Sequence, residues 1–160
     1  MMSEYNKQNI EINLFNGLNG QSLISPFDSE KPLFEPKIRL GVLASGNGSN
    51  FEYIIKSIQK NQLNAEVSIL IVNNPNCLAI NKAIKYDTPY VVINHRDCDS
   101  RLEHDKLVMK KLEELSVELV VMAGWMRIVG EEIINKFNNR LINIHPSLLP
   151  SFKGIDAIQQ

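Results

Sequence analysis

The chain has 160 residues, 44% hydrophobic and 22% charged, with a formal net charge of -1 at pH 7. That is the make-up of one globular domain, long enough to bury a core without disulfide or metal staples. The near-zero charge provides no overall positive field to gather nucleic acid or an anionic membrane, and no apolar run approaches the roughly 18 residues of a membrane helix.

Residues 1–36 differ from the rest. Asparagines recur at Asn6, Asn9, Asn13, Asn16 and Asn19, and Gly17, Gly20, Pro26, Pro32 and Pro36 break any period. This reads as a flexible N-terminal extension with a short segment at Ile10 to Phe15 able to dock. No apolar signal core follows Met1, so secretion is not expected. Cys77 and Cys98 lack C-x-x-C spacing and have no histidine pair at zinc-ligand spacing. Reduced thiols, a cytoplasmic location and no metal are the expectation.

From Lys37 onward, short apolar runs alternate with helical patterns. Ile38 to Ala44 predicts a strand ending in Ser45-Gly46. Phe51, Ile54, Ile55 and Ile58 fall at i, i+3, i+4 and i+7 and predict an amphipathic helix. Val67 to Val72 predicts a second strand. Asn76 is positioned to cap a helix carrying Leu78, Ile80, Ala83 and Ile84, and Tyr90 to Ile93 predicts a third strand. Ser100 and Glu103 form a capping box for a helix with Leu107, Val108, Leu112 and Leu115 on its apolar side. Leu119 to Ala123, Glu131 to Phe137 and Leu141 to Ile144 predict a strand, a short helix and a fifth strand. Strands this apolar are buried on both faces. Their alternation with helices predicts an α/β, Rossmann-like, mostly parallel sheet with helices on both faces, built from residues 37–160. Ligands of such sheets bind beyond the carboxyl ends of the strands.

Three segments at those ends carry chemistry. Ser45-Gly46-Asn47-Gly48-Ser49-Asn50 is a Gly-rich turn into a helix, where free amides and the helix dipole face an anion. A phosphate monoester fits. The dinucleotide fingerprint does not: Phe51 stands where its third glycine belongs, and Asn73 and Asn74 stand where it needs an acid. Asn143 and His145 are two apart on a strand, so they share a face, and Pro146 stops the ladder. An amide that stabilises an oxyanion and an imidazole that passes protons would emerge together. That pair alone reads sooner as an ordinary loop histidine, with the asparagine bonding the local backbone. Ala123 to Val129 offers an aromatic, a methionine, an arginine and branched aliphatics for a flat apolar pocket, or simply core. Arg101, just after its helix cap, can meet a carboxylate or phosphate. His95 and His104 read as solvent-exposed.

Together these segments resemble the folate-dependent phosphoribosylglycinamide formyltransferases of purine synthesis. The matching residues are Ser-Gly-Asn-Gly-Ser-Asn at 45–50, Ala-Gly-Trp-Met-Arg-Ile at 123–128 and Asn-Ile-His-Pro-Ser-Leu-Leu-Pro at 143–150. The resemblance implies that Gly48, Ser49 and Asn50 hold the substrate phosphate. It implies that Arg101 and Met126, Arg127, Ile128 and Val129 contact 10-formyltetrahydrofolate. Asn143 would contact the formyl donor and steady its oxyanion, with His145 as proton donor. The co-substrates would be phosphoribosylglycinamide and 10-formyltetrahydrofolate, with no metal, nucleic acid or membrane, and the protein a monomer or homodimer. The family also uses an aspartate well after the histidine motif, and Asp156 does not match it. A family member truncated at its C-terminus, poorly stable and nearly inactive by itself, is therefore expected. Methionyl-tRNA formyltransferase, formyltetrahydrofolate deformylase and an inactive ribonucleotide-binding remnant are the alternatives.

Overall fold

The computed structural model describes residues 37–144. The expected extension at 1–36 and the segment from His145 onward lie outside the described residues. Within them the elements are β1 (Ile38–Ala44), α1 (Ser49–Gln59), β2 (Ala65–Val72), α2 (Ala79–Lys85), β3 (Tyr90–Val92), a 3-10 turn (His95–Asp97), α3 (Arg101–Glu114), β4 (Leu119–Met122), α4 (Glu131–Lys136) and β5 (Leu141–Asn143). Every expected strand and helix is present, with ends shifted by a residue or two.

The strands form one sheet in the order β3-β2-β1-β4-β5, and all its neighbouring pairs are parallel. Period-two alternation sends neighbouring residues to opposite faces. Val42, Leu70 and Val121 join the core under α1 and α2. Leu43, Ile71 and Val120 join the core under α3 and α4. Both faces are therefore covered over the central strands β1, β2 and β4, which is why these read as largely apolar, whereas the edge strands β3 and β5 stay partly exposed. The chain winds outward from β1 through β2 to β3, then crosses back to β4. The strand order reverses between β1 and β4, so the crevice of the switch point opens at their carboxyl ends.

Helix α1 buries Phe51 and Ile55, with Ile54 and Ile58 packed beside them, as its spacing predicts. Two other helices depart from their predicted faces. Asn76 does not cap α2. Its N–H donates to Asn74 Oδ1 at 3.0 Å, closing an Asx turn, and the helix starts only after Leu78. Leu78 and Ile84 lie on its exposed side, while Ala79 and Ala83 are buried. Small residues win there because the helix packs close to the β1 turn. On α3 the capping box holds in modified form. Ser100 Oγ accepts from the Glu103 N–H at 3.1 Å, but Glu103 Oε2 takes the Asp99 N–H at 2.6 Å, one residue before the cap. Its buried side is His104, Asp105, Val108 and Leu112. Leu107 and Leu115 are exposed.

Candidate functional site

The turn after β1 is shaped by Gly48. It caps α1 with φ 66° and ψ 29°, a left-handed conformation, and no side chain caps the helix. A Cβ at Gly48 would sit 2.8 Å from both Cα and Cβ of Ala79. Positive φ and this close approach both require glycine. The carbonyl of Gly46 accepts the Ala79 N–H at 3.1 Å, which braces the turn on the start of α2. Ser49 and Asn50 are exposed on the first turn of α1. With no capping side chain, the leading amides of this helix remain available to an anion.

The loop after β4 is tied to that turn. Ser45 N–H donates to the Gly124 carbonyl at 3.1 Å, and Ser45 Oγ accepts from the Met126 N–H at 2.9 Å. Two bonds from one residue thus join the two strand ends that flank the switch point. Beyond them, Met126 and Ile128 are 78% and 73% exposed, which leaves two large apolar side chains facing outward. Trp125 and Val129 turn inward onto the core under α3 and α4.

The far end of the same loop is held by α3. Asp105 Oδ2 accepts the Gly130 N–H at 2.9 Å. A Cβ at Gly130 would stand 2.6 Å from that oxygen, so only glycine lets the carboxylate reach the backbone. His104 stacks on Trp125, with ring centroids 5.9 Å apart and planes at 23°. Its Nε2 lies 3.0 Å from the Ile93 carbonyl, which makes Nε2 the protonated nitrogen. Nδ1 then faces Asp105 Oδ1 at 3.6 Å. His104 is therefore not exposed as its sequence position implied; its relative exposure is 1%. His95 is half-buried, with Nδ1 3.2 Å from the Asn73 carbonyl. Neither anchor was foreseen. The available signal was the i, i+4, i+8 spacing of His104, Val108 and Leu112, which places them on one helical face.

Two crevices border the loop. One, of about 540 Å³, is lined by Ser45, Met126 and Arg127 together with Asn73, His95 and Arg96. The other, of about 480 Å³, is lined by Arg101, Leu102, Asp105, Gly130, Glu131 and Glu132. The structure thus brings Met126 and Arg127 together and puts Arg101 in a neighbouring crevice at the loop's other end. Near Arg127, the Cys98 thiol is pushed up, first by burial and then by the carboxylates of Glu103, Asp97 and Asp99, with Arg127 opposing. That direction favours the protonated thiol over the nucleophilic thiolate at Cys98.

Asn143 is the last residue of β5 and pairs in register with Met122 of β4, which in turn stands beside β1. Asn143 is exposed. His145 lies outside the described residues. Strand spacing places the tips of β1 and β5 two strands, or about 10 Å, apart.

A doubly wound parallel sheet with an anion-ready turn at its switch point defines the class of protein. Residues 38–160 match the Formyl transferase family, and the chain belongs to it. The human trifunctional purine biosynthetic protein adenosine-3 is 40% identical over 156 residues, covering 96% of this chain and 15% of that protein. The phosphoribosylglycinamide formyltransferase of Bacillus subtilis (strain 168) is 34% identical over 122 residues, covering 76% of this chain and 63% of that enzyme. The crystal structure of glycinamide ribonucleotide transformylase 1 from Geobacillus kaustophilus superposes with a TM-score of 0.73 at 32% identity, over 77% of this chain and 65% of that one. The chain therefore spans less than two thirds of the length of each of these relatives. No described helix is long and apolar enough to cross a membrane. Among the described residues, no group of three or more His, Cys, Asp or Glu side chains is placed to hold a metal ion.

Proposed function

We propose that this chain takes part in transferring a formyl group from 10-formyltetrahydrofolate to the amine of phosphoribosylglycinamide, in the cytoplasm and without a metal. The observation that carries the reading is the order of strand tips. The phosphate turn, the Met126 to Val129 loop and Asn143 leave the carboxyl ends of β1, β4 and β5, three consecutive strands of one sheet.

In this reading the substrate phosphate sits on the leading amides of α1, with Gly48, Ser49 and Asn50 around it. Met126, Arg127, Ile128 and Val129 border the folate, with Arg101 at the far end of the loop for its anionic part. Asn143 donates a hydrogen bond to the oxygen that becomes negative when the amine attacks the formyl carbon. His145, two residues after Asn143 in the sequence, supplies the proton as the tetrahedral intermediate breaks down and tetrahydrofolate leaves. Holding both reactants over adjacent strand tips supplies much of the rate by orientation alone.

Calorimetric titration of the chain with phosphoribosylglycinamide, set beside a formyl-transfer assay, tests this. Binding with at most weak turnover is expected from this chain by itself, and His145→Ala in a full-length family member carrying these residues should abolish turnover while leaving ribonucleotide affinity within about a factor of two. Binding without turnover would make the chain a ribonucleotide-binding remnant. Absence of binding would remove the phosphate assignment.

A further inference from the structure

The crevice of about 540 Å³ has ten lining residues, and none of them is Gly48, Ser49 or Asn50. It opens on the β2 and β3 side of the β1 turn. Its walls carry two guanidinium groups, Arg96 and Arg127, one imidazole, His95, four asparagines, and no carboxylate. Among the described residues, neither arginine has an acidic side chain within ion-pair distance. The lining itself is therefore basic, with the carboxylates of Asp97, Asp99 and Glu103 outside it. Its volume is that of a small-molecule site.

Two of its side chains have unmet hydrogen-bonding needs. Asn73 is 5% exposed, and its Oδ1 is buried without a partner among the described residues. Arg127 Nε is likewise buried without one. Natural structures rarely leave such groups unsatisfied, because each unmade bond is a net loss on folding. His95 is oriented from behind: its Nδ1 meets the Asn73 carbonyl, and Nε2 has no partner among the described residues. One ligand can satisfy all three groups if it both accepts hydrogen bonds and donates one.

We propose that Asn73, His95, Arg96 and Arg127 form a phosphate-monoester site separate from the α1 turn. Guanidinium forks match the paired oxygens of phosphate. A carboxylate at neutral pH only accepts, and so does the largely dianionic phosphate of a monoester, but the sugar that carries such a phosphate adds hydroxyls able to donate to the unpaired Asn73 oxygen. The site does not depend on Gly48 to Asn50 holding the substrate phosphate, and it shares Arg127 with the loop assigned above to the folate.

A two-dimensional amide NMR titration of the full chain with inorganic phosphate, and then with ribose 5-phosphate, tests the assignment. Saturable shifts are expected at Asn73, His95, Arg96 and Arg127. Arg96→Glu changes an exposed residue, and a circular dichroism spectrum confirms its fold. It should weaken binding at those positions roughly tenfold or more, the loss expected for a charge-assisted bond turned into a repulsion. Shifts confined to residues 46–50 would support the α1 turn and overturn this site. Unchanged affinity in Arg96→Glu, or tighter binding of succinate than of phosphate, would also overturn it.

Discussion

Helices α1 and α3 cover opposite faces of one sheet, yet they do so with different chemistry. The buried side of α1 is Phe51 and Ile55, flanked by Ile54 and Ile58. The buried side of α3 is His104, Asp105, Val108 and Leu112. The first helix covers strands and leads out of a turn. The second covers strands and also grips the loop between β4 and α4, through the Asp105 bond to Gly130 and the His104 stack on Trp125. A helix whose work is burial shows an apolar period, whereas a helix that also fixes a loop must place polar groups inside, each with a partner.

That contrast can be broken from either side. Phe51→Ala removes a fully buried ring from the apolar helix and should lower unfolding free energy by about 3–5 kcal/mol, read as a fall in the urea midpoint. On the polar helix, Asp105→Ala leaves the Gly130 N–H without its acceptor and should lower stability by roughly 1–3 kcal/mol. Hydrogen exchange at the Gly130 amide should accelerate in the same variant. Asp105→Asn keeps an acceptor at that place, and recovery of most of the loss would show that the bond, and not the charge, is what holds the loop. Gly48→Ala adds positive-φ strain and the approach to Ala79, expected at about 1–3 kcal/mol. Its thermal midpoint should fall even in the absence of any ligand. Ser100→Ala removes the cap of α3 and should reduce stability by about 1 kcal/mol.

The smallest expected effect concerns acid. Glu52 meets Lys82, Tyr86 and Lys56, which pull its carboxyl down from 4.5 to about 2. A group whose pKa falls on folding contributes its stability above the unfolded value and loses it as pH drops through the folded one. Stability should therefore decline between about pH 4.5 and 2, more shallowly in Glu52→Gln. Salt should shrink the difference, because the cluster lies near the surface. An identical acid profile in wild type and variant would mean the lysines do not hold this carboxylate in solution.

The sheet was legible because strands buried on both faces leave unbroken apolar runs, and turns after them leave glycines. Five strands and four helices follow from those marks, and so does the use of the carboxyl ends. Polar interior positions were harder to read. His104 and Asp105 look like surface residues until the ring of Trp125 and the amide of Gly130 are known, and both lie over 20 positions away in the chain. Asn76 resembled a cap because asparagine suits caps and Asx turns equally, and only the start of α2 after Leu78 separates the two uses. Gly48 was read as leaving room for a ligand, whereas the structure adds a second demand from Ala79. Of the residues assigned from resemblance, Gly48 to Asn50, Met126 to Val129 and Asn143 fall at strand ends, whereas Arg101 opens α3. Arg101 lines one crevice with Gly130, and Met126 and Arg127 line another.

Across the gap between β1 and β4, Ser45 donates its backbone N–H to the Gly124 carbonyl, and its hydroxyl oxygen accepts the N–H of Met126, two residues further on. A displacement of either strand tip is therefore transmitted to the other as a hinge shared between them. A ligand that shifts one margin of this gap is therefore expected to strain both bonds, and loss of the Ser45 hydroxyl to leave the two margins less tightly coupled.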